Sequence, residues 1–406
     1  MSAMTDPPRH DPQGSDQAGP SPAGGPIVIV GGGFAGLYTA LALAEQRQPP
    51  PVLLIEPNDR FLFLPLLYEL LSGELRRWEI APRYDALLAG KGIAWLRDRV
   101  THIDATARSV STEGGRTLGF SQLVLSTGGS TNSFGIPGVR EHALEFRTLA
   151  DVERLHQLVG ELRSQQLPLQ RLAIVGAGPS GVELACKLAD LLQGAALVEL
   201  IEQGPEALPQ ARAFNRDQAL RALQARDVRL RTRTRVQEVG ADQLDLQGPG
   251  GAESLPVRAV IWTAGISFQP PAITPEVRSE GRGRLSCEPS LRLRGFSHLF
   301  AAGDIAALES EDGPLPATAQ VAFQQADCLA ANLLRSEAGE PLEPFRFKDL
   351  GEMVSLGIGE ASLVGGGLTL AGAAAYQLRR LAYLTRLPRR THQLRVAAGW
   401  LADWQP

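Results

Sequence analysis

One pattern occurs twice in this chain, and each copy leaves little choice of local fold. Residues 27–30, Ile-Val-Ile-Val, are a short β-branched run of the kind found in parallel strands buried on both faces. Gly31-Gly32-Gly33-Phe34-Ala35-Gly36 follows, then a helix-forming stretch to Gln46, then a second apolar strand over 52–55 that ends on Glu56. The same order returns with a strand over 172–175, Gly176-Ala177-Gly178-Pro179-Ser180-Gly181, a helix over 182–192, and a strand over 197–201 ending on Glu202. The glycines have separate tasks. Gly31 and Gly176 permit the tight turn, Gly33 and Gly178 let the main chain approach a pyrophosphate, and Gly36 and Gly181 bring helix and strand close. The helix N-terminus then faces the phosphates, and each terminal acid is placed near an adenosine ribose. A lone GxGxxG is weak, because glycines crowd many loops. Two copies, each in strand–turn–helix–strand context with an acid at matching spacing, are specific. The expected fold is α/β, with two Rossmann-like dinucleotide-binding domains.

The rest of the chain separates the two nucleotides. Residues 299–304, Leu-Phe-Ala-Ala-Gly-Asp, read as a strand running into Gly303-Asp304. In flavin disulfide reductase-like proteins an aspartate so placed holds the flavin ribityl chain, which assigns FAD to the first unit; the alternative is an ordinary turn residue. Residues 123–129 and 260–265 look like the two crossover strands between nucleotide domains, although the first has Ser126 where Ala is usual. The predicted layout is a disordered tail over 1–26, an FAD domain over 27–149 resumed at 269–345, an NAD(P)H domain over 150–268, and a C-terminal segment over 346–406. At 406 residues and 44% hydrophobic, the chain is long enough for such a core. Its net charge of −4 gives no chain-wide basic footprint for nucleic acid. Six scattered histidines and three distant cysteines suggest no metal centre, and no run of eighteen apolar residues predicts a membrane span.

The electron acceptor is the harder question, since this fold serves many. Disulfide substrates need a cysteine pair beside the flavin. The first helix has no cysteine, and Cys186 in the second has no partner in sequence. With both nucleotide motifs in view, the chain resembles the type II NADH:quinone oxidoreductases from about residue 26 to 400. Its more specific marks are residues 314–325, Pro-Leu-Pro-Ala-Thr-Ala-Gln-Val-Ala-Phe-Gln-Gln, and Gly181-Val182-Glu183-Leu184-Ala185. The resemblance implies that Thr318, Ala319 and Gln320 start a helix aimed at the flavin pyrimidine edge, and that Gln320 meets the quinone head group. It also implies that Glu183 positions that site or supplies protons to it. Residues 59–70 and 78–82 are most similar to the cyanobacterial and plastid demethylphylloquinone reductases, which act on prenylated naphthoquinones and benzoquinones. The implied donor is NADH or NADPH, bound over 176–181.

The residues agree with that chemistry on their own. A helix N-terminus near 318–320 would stabilise negative charge on the flavin by about 0.3 to 2 kcal/mol. Gln320 and Gln324, four apart, offer uncharged donors and acceptors to a carbonyl ring, or are an ordinary polar helix face. Glu183 could instead serve only the first turn of its helix. From Glu360 onward the chain has six arginines, no lysine and two acids, so this segment is +4 and the remainder −8. Residues 365–372 read as a flexible apolar stretch and 373–387 as a helix with Leu378, Leu381 and Ala382 on one face and Arg379 and Arg386 on another. A second helix carries Leu394, Val396 and Trp400. This amphipathic pair suits attachment to the anionic surface of a membrane, thylakoid or plasma, on its cytoplasmic side; the alternative is packing on the protein's own core. The apolar stretch 61–71 argues for a lipid acceptor rather than ferredoxin or another small redox protein. A non-catalytic redox sensor is a third reading, and a homodimer is left open.

Overall fold

The computed structural model describes residues 25–165, 170–310 and 313–402; the predicted N-terminal tail lies, up to residue 24, outside these. The first unit runs β1 (Ile27–Val30), α1 (Phe34–Ala44), β2 (Val52–Ile55), the short helix α2 (Leu67–Leu71), β3 (Ile93–Leu96) and β4 (Gln122–Leu125). The second runs β5 (Arg171–Val175), α3 (Pro179–Leu192), β6 (Leu197–Ile201), β7 (Arg229–Arg231) and β8 (Ala259–Trp262). The chain then returns to the first unit with β9 (Leu299–Ala301) and the long helix α4 (Ala319–Ala338). It ends in β10 (Glu352–Ser355), β11 (Ala361–Gly365), β12 (Leu368–Gly372), α5 (Ala373–Leu384) and α6 (Arg390–Ala402).

Both main sheets are parallel and share one strand order. The first is β9-β4-β1-β2-β3, and the second is β7-β6-β5-β8 with Ala143–Leu144 at its edge. In each, the strand that feeds the glycine turn is central; β1 has every side chain inside, as has β5 after Arg171, which is why both carry continuous apolar runs rather than alternating ones. Register aligns the strand ends. Val30 pairs with Ile55 and Leu125, and Val175 with Ile201 and Trp262. Gly31, Glu56 and Ser126 therefore emerge together at one carboxyl edge, and Gly176, Glu202 and Thr263 at the other.

Two expectations need correcting. The stretch 365–372 is not flexible but paired: β11 and β12 form a two-residue hairpin turning on Gly366 and Gly367, both with positive φ, the requirement of a type I′ turn. The apolar stretch 61–71 is core. Phe61, Phe63, Leu66, Leu67 and Leu71 are each about 1% exposed, and Leu64 is the outward exception. An apolar run reports a need for burial and does not say whether protein or lipid supplies it. Arg379, on a different face of α5 from Leu378 and Leu381, is the buried one at 1% exposed, whereas those two leucines point outward. The helix turns Arg379 inward and Leu378 and Leu381 outward, because its inner face meets the buried carboxylate of Glu69.

Candidate active site

The two glycine turns are built alike to within a few tenths of an ångström. A Cβ on Gly36 would lie 1.9 Å from the Gly31 carbonyl oxygen, and one on Gly181 would lie 1.8 Å from that of Gly176. Only hydrogen fits there. Gly33 and Gly178 differ, since a Cβ on either meets nothing within 4 Å. That open space in front of a helix N-terminus is the cradle a pyrophosphate requires. Gly31 and Gly176 have φ near +100°, the conformation that makes the turn.

The terminal acids occupy equivalent places. Glu56 accepts from the Gly32 amide at 2.7 Å and from the Asn58 amide at 2.9 Å. Glu202 accepts from the Ala177 amide at 2.8 Å and the Gly204 amide at 2.7 Å. Each carboxylate thus ties the strand end to the middle of its own glycine turn, a task the sequence did not reveal. Ser126, singled out as a departure, does what Thr263 does in the second unit. Its hydroxyl donates to the carbonyls of Val30 and Gly31 at 3.0 and 2.9 Å, as that of Thr263 donates to Val175 and Gly176 at 2.9 and 3.1 Å.

Gly303 and Asp304 sit where α1 and α4 converge on the first sheet. A Cβ on Gly303 would touch Ala35 at 3.3 Å and Ala322 at 3.6 Å, and its amide donates to Gln325 at 2.6 Å. Among the described residues the Asp304 carboxylate accepts no hydrogen bond. Burial pushes it above the ordinary carboxylate value, against the pull of Arg147 and Arg284. A largely buried carboxyl with unmet acceptors fits the hydroxyls of a ribityl chain, and with the Gly33 cradle it makes the first unit suited to FAD. Thr318 caps α4 by accepting from the Val321 amide at 3.3 Å. The Ala319 end of that helix points its free amides into the same space.

One cavity of about 1080 Å³ joins the second glycine turn to the capped end of α4; Gly33, Glu56 and Asp304 of the first unit do not line it. Gly176, Gly178, Pro179 and Glu202 line one side, and Thr318, Ala319, Gln320 and Gln324 another. An aromatic wall closes it, with Phe34 and Phe63 ring centroids 5.0 Å apart and Phe63 and Tyr383 5.4 Å apart. The glutamines do share a face of α4, but their amides are occupied. Gln320 donates to Gly351 O at 3.1 Å and accepts from Leu350 N at 2.8 Å; Gln324 does the same with both main-chain groups of Lys348 at 2.9 and 3.0 Å. They hold a strap, 348–351, along the cavity, and Asp349 on that strap pairs with Arg212 of the second unit at 2.7 Å. Glu183 does not serve its own helix turn. It accepts from the Ser355 amide at 2.7 Å, facing away from solvent.

Residues 25–326 match the family model described as pyridine nucleotide-disulphide oxidoreductase. Over 391 residues the chain is 41% identical to demethylphylloquinone reductase of Synechocystis sp., covering 93% of this chain and 97% of that one. The chain belongs to the pyridine nucleotide-disulphide oxidoreductases, in their type II NAD(P)H:quinone oxidoreductase branch. It is also 36% identical to an alternative NAD(P)H-ubiquinone oxidoreductase of Arabidopsis thaliana, over 93% of this chain and 80% of that one. Its fold matches the type II enzyme of Plasmodium falciparum solved with NADH, with a TM-score of 0.80 at 18% identity over 91% and 97% of the two chains. Although the wider family is named for disulphides, the cysteines of this type II member are poor nucleophiles. Burial pushes the Cys186 and Cys287 thiols up to about 12 and Cys328 up to about 11, and all three are free.

Glu202 also bears on the choice of donor. Two amides fix its carboxylate at the cavity wall, and with a donor ribose bound there, as its strand-end position leads one to expect, a 2′-phosphate would face it. Two unit charges about 4 Å apart repel by roughly 4 kcal/mol at an effective dielectric near 20, and solvent leaves about 1 to 2 of that. NADH is therefore expected to exceed NADPH about tenfold in kcat/KM, and Glu202→Gln to narrow the gap. Arg235, exposed on the same wall, works the other way. Equal kcat/KM for both donors in the parent protein would show that Arg235 dominates.

Proposed function

We propose that this chain is an FAD-dependent NAD(P)H:quinone oxidoreductase that carries out two-electron reduction of a prenylated naphthoquinone or benzoquinone without pumping protons. The observation that carries this reading is the single cavity in which the second glycine turn, the capped end of α4 and an aromatic wall face one another. Two relatives point the same way: one is named for demethylphylloquinone and the other for ubiquinone. In this reading residues 27–149 and 269–345 hold FAD, through Gly31, Gly33, Gly36, Glu56, Gly303 and Asp304. Residues 150–268 hold the donor, through Gly176, Gly178, Gly181 and Glu202. A flavin held by those residues would supply the two-electron redox chemistry between nicotinamide and quinone. The balance is NAD(P)H, one proton and quinone in, NAD(P)⁺ and quinol out.

The protein's own residues orient and exclude. The α4 amides behind Thr318 would favour negative charge on a ring placed against that helix end. Phe34, Phe63 and Tyr383 offer flat apolar surface to a quinone ring and keep water from it. Gln320 acts through the strap it holds along that space, and Glu183 stands behind the wall as a proton source. Leucines on the outer faces of α5 and α6 suit a lipid surface, from which a prenylated substrate would enter; no described helix is long and apolar enough to cross a membrane.

Gln320→Leu tests this reading. It keeps bulk and removes two hydrogen bonds to the strap. NADH-driven flavin bleaching in stopped flow is expected to stay within a few-fold of the parent. Reoxidation by quinone is expected to slow about tenfold or more, since each lost bond costs roughly 0.5 to 1.5 kcal/mol and the strap is displaced besides. Equal slowing of both halves, or no change in either, would remove Gln320 from the quinone side.

A further inference from the structure

Behind the aromatic wall five charged side chains lie together, four of them buried and Glu74 partly so. Arg379 of α5 and Glu69 of α2 form an ion pair with side chains 1% and 0% exposed. Lys187 of α3, 0% exposed, pairs with Glu74, which also accepts from the Gly359 amide at 2.8 Å. Glu183, one helical turn before Lys187, is the fifth. The closest cation nitrogen to it is that of Arg379, at 3.9 Å, and that guanidinium is already committed to Glu69 and to the Pro65 carbonyl at 2.7 Å.

The count decides the chemistry. Three carboxyls share two cations, and a buried charge without a partner is costly enough that the group takes a proton instead. Glu74 has Lys187, and Glu69 has Arg379. Glu183 is left with half a cation and one amide. We propose that Glu69 and Arg379 are positioning residues that set the protonation of Glu183, holding a single exchangeable proton against the wall of the cavity. Arg379 reaches that wall directly: its guanidinium lies 4.9 Å from the ring centroid of Tyr383, and both Tyr383 and Pro65 line the cavity.

The surrounding groups agree. Burial pushes Glu183 up to about 7, with Arg379 and the Ser355 amide pulling down, Glu69 pushing up and Lys187 pulling down. Burial outweighed by Lys187 leaves Glu74 below the ordinary carboxylate range. The other titratable groups that face Glu183 stay neutral through the same range. Burial raises Tyr68 and Tyr383, and it raises the Cys186 thiol to about 12. Tyr376, over Lys187, is raised likewise.

The proposal rests on the assignment of Glu183 to the quinone side, and the test keeps the two apart. In FAD-loaded protein, the infrared band of the protonated Glu183 carboxyl, identified by its loss in Glu183→Gln, is titrated with pH. The parent is expected to have a midpoint near 7. Glu69→Gln removes a neighbouring negative charge and should lower the midpoint by about one pH unit or more; Arg379→Met should raise it by as much. The double variant should return to within about half a unit of the parent, and Arg379→Lys should stay there. A merely structural pair would move both single variants the same way, or neither, and either result overturns the proposal. If Arg379→Met fails to take up FAD, an unmoved midpoint in Glu69→Gln overturns it alone. Infrared shifts with no matching shift in the pH profile of quinone reoxidation would uphold the charge assignment and remove Glu183 from the quinone reaction.

Discussion

Gly36→Ala is expected to leave the protein without FAD, while Gly33→Ala weakens FAD binding and leaves the melting temperature of the apoprotein unchanged. The added methyl of Gly36→Ala falls 1.9 Å from the Gly31 carbonyl and 2.4 Å from the Ser126 hydroxyl. The first is main chain in a turn that has no slack, so α1 must tilt away, at a cost near the upper end of the roughly 1 to 3 kcal/mol typical of overpacking. At Gly33 the methyl meets no protein atom, and φ is −69°, which alanine adopts freely. Its only obstacle is the ligand. The second unit supplies the control. Gly181→Ala, with its methyl 1.8 Å from Gly176 O, should keep its flavin and lose NADH reduction, and Gly178→Ala should raise KM for NADH with FAD content intact. Full FAD occupancy in Gly36→Ala would mean that the first turn is not where the dinucleotide binds.

The second large effect concerns the lipid surface. Leu378, Leu381, Leu394 and Leu401 are 38%, 55%, 70% and 70% exposed. Moving each remaining apolar surface into lipid is worth about 1 kcal/mol, so the four together contribute about 4 kcal/mol, close to a thousandfold in binding. Replacing all four with serine should abolish co-sedimentation with anionic vesicles while FAD content and Tm hold. Salt alone should only weaken the parent, because it screens the arginines and not the leucines. Undiminished vesicle binding by the serine variant would exclude this face as the attachment surface. Truncation after Glu360 is the wrong experiment. It removes Arg379 and leaves Glu69 buried without a counter-charge, a loss of about 3 to 5 kcal/mol that would report on stability.

What could be read from the sequence was whatever local geometry decides. The strand–turn–helix units are found where the glycines place them, because a Cβ at Gly36 or Gly181 collides with an oxygen five residues away. The seeming anomaly of Ser126 disappears once it is aligned with Thr263, since each needs only a hydroxyl within reach of two carbonyls. What escaped was whatever distant residues decide. A helical wheel gives α5 two faces but not which one turns inward, and the carboxylate that settles the matter is Glu69. Lys187 was the available hint, a lysine in the apolar stretch Val182-Glu183-Leu184-Ala185-Cys186-Lys187-Leu188. The glutamines were read correctly as one face, but their strap lies in a segment with no periodicity to betray it. Gly366-Gly367 is legible as a hairpin turn, although the apolar stretch around it reads as flexible.

The pairing of Glu69 with Arg379 also has a temporal meaning. The two residues are 310 positions apart. At roughly 5 to 20 residues per second, a ribosome would need about 15 to 60 s to deliver the arginine after the glutamate has been made. For most of that interval the first glycine unit also lacks β9, the fifth strand of its sheet, and α4, against which α1 rests. The second unit, contiguous from β5 to β8, can close on itself as it emerges. The order in which the halves mature is thus the reverse of the order in which they begin. A nascent chain halted before residue 379 would hold a finished donor half beside an acceptor half still exposing an acid at its centre, an obvious handle for a chaperone or a protease.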